Sequence, residues 1–184
     1  MEIQDGKLYL TIMRLLNGLK IYNIYDDILN TIDHGIPQNR ERWYCVGILK
    51  ANDDGSFTFP KPLTPPLIGK FLQDDGNVDP AVPPFVKTVQ EHVKGLGRDP
   101  DTSDIIVDCD FSPPLKGSFM EGYSPCITRS RFKGHWITSK GRRFTLTEML
   151  RLQGINPATF KKAVSDKALG QQIGNAMSVN VIER

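Results

Sequence analysis

A chain of 184 residues, 24% charged and 39% apolar, has the composition of a globular protein of about one domain rather than of a disordered tail. Its formal charge of +2 permits nucleic-acid binding without demanding it, and the basic residues gather locally: at Arg40 and Arg42, along Arg129-Ser130-Arg131-Phe132-Lys133, and over residues 140–143. The pattern excludes a disulfide framework and a zinc site (Cys45, Cys109 and Cys126 form no CxxC pair), a secretory leader and a membrane span, so no metal is expected and a reduced cytoplasmic or nuclear setting is.

In chain order, Leu8, Ile12, Leu15, Leu16 and Leu19 make a helical stripe ending near Gly18. Residues 21–25 read as a strand, and residues 28–30 as a short extended or turn segment leading to Gly35-Ile36-Pro37. Residues 43–49 form a second strand, ended by the turn signal Asn52-Asp53-Asp54-Gly55. From residue 57 to about 125 the texture changes, with prolines from Pro60 to Pro114, a short helix over 86–93 and a short strand over 105–107. Thr145 caps a helix over 146–154, with Glu148 three residues on. A short helix is expected over 161–169, and another running from 171 to 183 through Gly174-Asn175. His92 and His135 read as solvated, and Cys45 and Cys126 as buried thiols.

Three blocks carry chemistry: Asn30-Thr31-Ile32-Asp33-His34-Gly35-Ile36-Pro37-Gln38-Asn39-Arg40-Glu41-Arg42, then Arg142-Arg143-Phe144-Thr145-Leu146-Thr147-Glu148-Met149-Leu150-Arg151-Leu152-Gln153-Gly154, then Gln172-Ile173-Gly174-Asn175-Ala176-Met177-Ser178-Val179-Asn180-Val181. In the first, Pro37 removes a donor and biases Ile36 toward extended backbone, so two guanidiniums stand at the mouth of a strand. Taken alone, Arg40 and Arg42 read first as surface ion-pair partners of Glu41 and nearby acids, Asn175 as a helix N-cap, and the second block as an amphipathic helix.

In this order, the blocks resemble the last three conserved motifs of the DNA cytosine-5 methyltransferases. Ser124-Pro125-Cys126-Ile127-Thr128-Arg129-Ser130 resembles the element near the end of that family's target-recognition region. The resemblance spans essentially the whole chain. It implies an α/β fold: the terminal part of a Rossmann-like methyltransferase sheet, with a small, irregular, mostly β target-recognition domain inserted. The implied domains are 1–56 for the last strands of the catalytic domain, 57–140 for recognition, and 141–184 for a hinge helix and the return. Arg42, Arg40 and Gln38 match the catalytic positions beside a flipped cytosine; Asn175 and Ala176 match the S-adenosylmethionine pocket. Thr128, Arg129, Arg131 and Arg142 are expected at double-stranded DNA. The sequence departs from the family at Leu146-Thr147-Glu148, where Pro-Arg-Glu is common, and at Gly154-Ile155-Asn156-Pro157, where Gly-Phe-Pro is.

The family's glycine-rich cofactor loop, proline–cysteine nucleophile and glutamate–asparagine motif precede the first block, and Asp5-Gly6-Lys7-Leu8 aligns just after them. A chain without that nucleophile is expected to be inactive alone. It reads as the C-terminal subunit of a split methyltransferase, served by a second polypeptide that carries the cofactor loop and catalytic Cys. The alternatives are a catalytically dead DNA-binding or regulatory fragment, and a break in a once-continuous gene.

Overall fold

In the computed structural model, residues 6–74, 76–110, 115 and 117–184 are described. The leader reading at residues 1–5 and the prolines at 113 and 114 lie outside them. The backbone divides into two compact units, Met1–Leu29 with Glu41–Lys61, and Asn30–Arg40 with Pro62–Arg184.

In the first unit, the leucine stripe forms helix α1, Lys7–Gly18, entered through Gly6 at φ 74. Strands β1 (Tyr22–Asn30) and β2 (Glu41–Leu49) form a two-stranded sheet. It is antiparallel: Lys50 N donates to Ile21 O at 3.0 Å, and Gly47 faces Ile24 and Tyr22. The segment 28–30 is not a turn; it continues β1 because β2 is equally long. Asp26 joins helix to sheet, its Oδ2 accepting from Tyr9 OH at 3.0 Å and Trp43 Nε1 at 2.9 Å. Asp53 ties the expected turn to β1, its Oδ2 accepting from Asn23 Nδ2 and Tyr25 OH, both at 2.7 Å.

The second unit holds an antiparallel sheet in the order β4-β3-β5-β6, from Ile105–Val107 (β3), Phe119–Glu121 (β4), Trp136–Ile137 (β5) and Arg142–Arg143 (β6). Side chains alternate across a strand, so Ile105, Val107 and Trp136 face one way and Ile106 and Ile137 the other. The first face packs on Val86, Val89 and Val93 of α2, Pro84–Gly95, which starts with proline in its first turn. The second face packs on Ile36, Ile127, Phe144, Met149, Leu150, Leu152, Leu169 and Ile173. Burial on both faces is why Ile105-Ile106-Val107 is continuously apolar rather than alternating.

The C-terminal helices are α3 (Leu146–Arg151), α4 (Asp166–Asn175) and α5 (Val179–Ile182). The capping box of Thr145 and Glu148 is formed as the sequence indicates. The helix expected over 161–169 starts only at Asp166, because Ser165 Oγ accepts Ala168 N and caps it there. The continuous helix expected over 171–183 is broken: Ala176 is extended at ψ 152, and a new helix starts after Ser178. No helix among the described residues is long and apolar enough to cross a membrane.

Candidate functional site

Asn30 organises the entry to the first block. Its Oδ1 accepts from Ile32 N at 3.2 Å and Arg40 N at 2.9 Å, closing the 3-10 turn Thr31–His34 against the far end of the segment. Gly35 then turns at φ 91, and Ile36, Pro37 and Gln38 run inward. Gln38 is fully buried; Nε2 donates to Leu152 O at 2.6 Å, and Oε1 accepts from Ile127 N at 3.0 Å. Backbone bonds from Asn39 N to Ser124 O and from Ser124 N to Pro37 O, both 2.8 Å, lay the first block beside the 124–130 element.

Arg40 completes the junction. It is 2% exposed, and its fork ends on backbone carbonyls: Nη1 donates to Ile127 O at 2.7 Å, and Nη2 to Ala176 O at 2.7 Å and Gly174 O at 3.2 Å. Charge-assisted bonds of this kind are roughly twice as strong as neutral ones, and only a planar fork spans carbonyls on two segments. Those bonds also explain the break after α4: the carbonyls at 174 and 176 turn to Arg40 instead of extending a helix. Asn175 is therefore the last residue of α4, not an N-cap.

Two glycines lock the same junction from the other side. A Cβ on Gly174 would stand 2.3 Å from Thr128 C and O, and one on Gly170 would stand 2.3 Å from Phe132 O. Positions four apart share a helix face. The Gly170-Gln171-Gln172-Ile173-Gly174 stretch thus lets α4 lie directly on the backbone of residues 128–132. The close approach that glycine permits at 174 is to the protein's own chain.

Between those anchors the Asn175 side chain is exposed, and its amide makes no hydrogen bond to the described residues. Thr128 bonds Ser130 through their hydroxyls at 3.0 Å, and Arg129 is exposed. Arg131 Nε reaches both oxygens of the buried Asp108 at 2.9 Å. In the other unit, Arg42 is half-buried at the start of β2, donates Nη1 to Glu41 O at 2.6 Å, and lines a cavity of about 320 Å³ with Ile28, Glu41 and Trp43.

Arg142, expected among DNA contacts, is instead 5% exposed. Its Nη1 and Nη2 each meet one oxygen of the fully buried Glu148 at 2.9 Å, and Nη2 also donates to Gln73 O at 2.8 Å. A guanidinium closed in this way is structural. His135, read as solvated, is 1% exposed, and Cys45, read as buried, is exposed. The sequence reading missed Glu148 as an ion-pair partner, although its place in the capping box was visible. It gave no role to Asp108, nor to Thr31 within the first block, since only tertiary contact pairs Thr31 Oγ1 with Ser178 Oγ at 2.6 Å.

Burial holds His135 below the ordinary imidazole range, outweighing the Asp108 carboxylate 3.7 Å from Nδ1, while Arg131 adds to the lowering. His34 is likewise lowered, first by burial and then by Arg184, which stands 2.9 Å from its Nδ1. A histidine lowered in the folded state takes its proton more readily when unfolded. Stability therefore rises with pH through this interval and is lost as pH falls below the unfolded value of about 6.5. We expect the urea midpoint to drop between about pH 8 and about pH 5.5 with an unchanged m-value. A midpoint that is constant or higher in acid contradicts the assignment.

The family model described as C-5 cytosine-specific DNA methylase matches residues 2–184. The type II methyltransferase M.NgoBI of Neisseria gonorrhoeae is 32% identical over 97% of this chain and 54% of its own length. M.HaeII of Haemophilus aegyptius is 33% identical over the same shares, 97% and 54%. Among solved structures, the methyltransferase EhMeth of Entamoeba histolytica overlays with a TM-score of 0.59 at 22% identity, over 96% of this chain and 55% of its own. The S. pombe Dnmt2 methyltransferase overlays at 0.59 and 19% identity, over 96% and 59% of the two chains. These last two show the mixed α/β fold alone. The chain spans about half the length of the curated relatives it matches. With residues 2–184 matched and the first and third sequence blocks joined at Arg40, this chain belongs to the C-5 cytosine-specific DNA methylase family.

Proposed function

We propose that this chain is the C-terminal portion of an S-adenosylmethionine-dependent DNA cytosine-5 methyltransferase. It would contribute DNA target recognition and one side of the flipped-cytosine and cofactor pockets. The reading is carried by the junction at Arg40, where the first block, the 124–130 element and the third block meet although Arg40 and Gly174 are 134 residues apart. Residues 57–140 are assigned to recognition of double-stranded DNA, and 141–184 to the hinge and the return to the catalytic domain. The setting is DNA methylation in a restriction-modification system of a bacterial cytoplasm.

Arg42 is assigned to O2 of the flipped cytosine. Attack at C6 of the ring builds negative charge, and a guanidinium at O2 offsets it. Arg40 and Gln38 are positioning residues: their polar atoms hold the backbone at Leu152, Ile127, Gly174 and Ala176. Asn175 and Ala176 are assigned to S-adenosylmethionine, which supplies the methyl group when bound. The fit rests on the Asn175 amide, exposed and able to donate and accept, on a peptide whose neighbouring carbonyls Arg40 fixes. Thr128 and Arg129 are assigned to DNA, where Arg129 lends phosphate affinity, and Arg131 to the turn that presents them. The thiolate that attacks C6 is assigned to a polypeptide outside these 184 residues that carries the cofactor loop, so these residues transfer no methyl group alone.

The test is reconstitution. The chain is mixed with such a polypeptide, and tritiated methyl transfer to duplex DNA is followed. We expect Arg42→Ala to lower transfer by roughly 100-fold or more, with S-adenosylmethionine binding unchanged by calorimetry. Turnover at the wild-type rate in that variant sinks the role of Arg42. Duplex binding with no transfer from any such mixture would leave a DNA-binding fragment in its place.

A further inference from the structure

The first unit has no core. Among its described residues, 6–29 and 41–61, not one is buried, whereas every buried residue among those described lies in the second unit. A helix laid on a two-stranded sheet cannot bury enough apolar surface to stand by itself. Its apolar residues are nonetheless patterned. Ile12, Met13 and Leu16 are partly covered, while Leu8, Leu15 and Leu19 fall on one neighbouring stripe of α1 and are 43%, 64% and 53% exposed. Lys7 and Arg14 stand off that stripe, as does Leu10, which is 64% exposed. Beside it lies a cavity of about 340 Å³ lined mainly by Tyr9, Ile12, Ile28 and Trp43, and Ile28 is 58% exposed. An ordered apolar stripe beside an apolar cleft marks an interface rather than a solvated face.

We infer that the Leu8–Leu15–Leu19 stripe of α1 and the adjoining cleft form the docking surface for the remainder of the methyltransferase catalytic domain. The length of the relatives argues for this occupant. This chain covers 54% of M.NgoBI and of M.HaeII, so roughly as much polypeptide again stands outside the match, and in the first unit the apolar surface is left without a core. The inference rests on the proposed function, since it needs a catalytic half to exist, but it adds which surface receives that half.

The experiment uses the full 184-residue chain and, as probe, the half of M.NgoBI that this chain does not match. Association is measured by sedimentation and calorimetry. A one-to-one complex is expected, and Leu15→Asp with Leu19→Asp should weaken it by roughly 100-fold or more. Because both leucines are exposed, the double variant should keep the circular dichroism and urea midpoint of the parent. A variant that associates as tightly as the parent overturns the surface while leaving the proposed function standing. So does an α1-dependent homodimer, which would make a second copy the occupant, and so does the absence of any complex. A complex that forms through this stripe yet transfers no methyl group upholds the surface and counts against the proposed function.

Discussion

Gly174→Ala is expected to destabilise the second unit by at least about 3 kcal/mol, at the upper end of what overpacking usually costs. The added Cβ would stand 2.3 Å from Thr128 C and O and 2.5 Å from Arg129 N, which are backbone atoms, not a flexible side chain that can swing away. Alanine's better helix propensity returns at most about 1 kcal/mol, so the steric effect wins. Relief requires α4 to lift off residues 128–132, and that strains the Arg40 bonds to Gly174 O and Ala176 O. The melting temperature should fall by roughly 6–12 °C. Gly170→Ala should behave alike, its Cβ meeting Phe132 O at 2.3 Å. Gly95→Ala at the end of α2 is the control: nothing lies within 4 Å, so stability should stay within about 0.5 kcal/mol. Urea unfolding of the three variants decides it, and equal midpoints for Gly174→Ala and the parent would refute the close packing.

The second large effect is expected at Glu148. Its carboxylate, fully buried, accepts four hydrogen bonds: from Arg142 Nη1 at 2.9 Å, Arg142 Nη2 at 2.9 Å, Thr145 N at 2.7 Å and Gln73 N at 2.7 Å. Glu148→Ala leaves a buried guanidinium without its counter-charge, a loss of about 3–5 kcal/mol. It also strands two backbone donors at about 1–3 kcal/mol each. We therefore expect a loss above about 5 kcal/mol and, in a marginally stable chain, failure to fold at ordinary temperature. Glu148→Gln keeps the volume but turns one acceptor into a donor facing donors, so it should be intermediate. The paired change Arg142→Met with Glu148→Leu should recover part of the loss but not all, because Gln73 N and Thr145 N remain unpaired. Full recovery would mean that the carboxylate serves Arg142 alone.

The same pair separates structural from DNA-facing arginines. Arg142→Ala should lower stability, whereas Arg129→Ala should leave stability unchanged and reduce the salt slope of duplex binding by about 0.9. A changed slope on removing Arg142 from a folded protein would return it to the DNA surface.

Much of this molecule is legible in its residues. Apolar spacing placed α1, α2 and β3; in α2 and β3 the apolar positions record what the segment buries, whereas α1 buries none of its residues. The capping signal placed the start of α3, since Thr145 and Glu148 satisfy each other within one turn. Segments whose conformation depends on distant partners were misread. The helix expected across 171–183 ends at Asn175, where Gly174-Asn175 is a local stop signal and Arg40, far away in the chain, takes the carbonyls at 174 and 176. His135 and Arg142 looked solvated or DNA-facing because a polar residue is silent about burial until its partners, Asp108 and Glu148, are placed beside it.

By itself, the order of the Gln38–Arg42, Arg142–Gly154 and Gln172–Val181 blocks determined the family, because motif residues and their spacing are one-dimensional information. The tertiary structure alone decided what the individual side chains do. It turned Arg40 and Gln38 inward as clamps on backbone, gave Gly170 and Gly174 to helix packing, and left Arg42, Asn175 and Arg129 partly or fully exposed. It also left the α1 stripe uncovered. Burial and hydrogen bonding are pairwise properties of residues distant in the chain, and no local pattern encodes both partners at once.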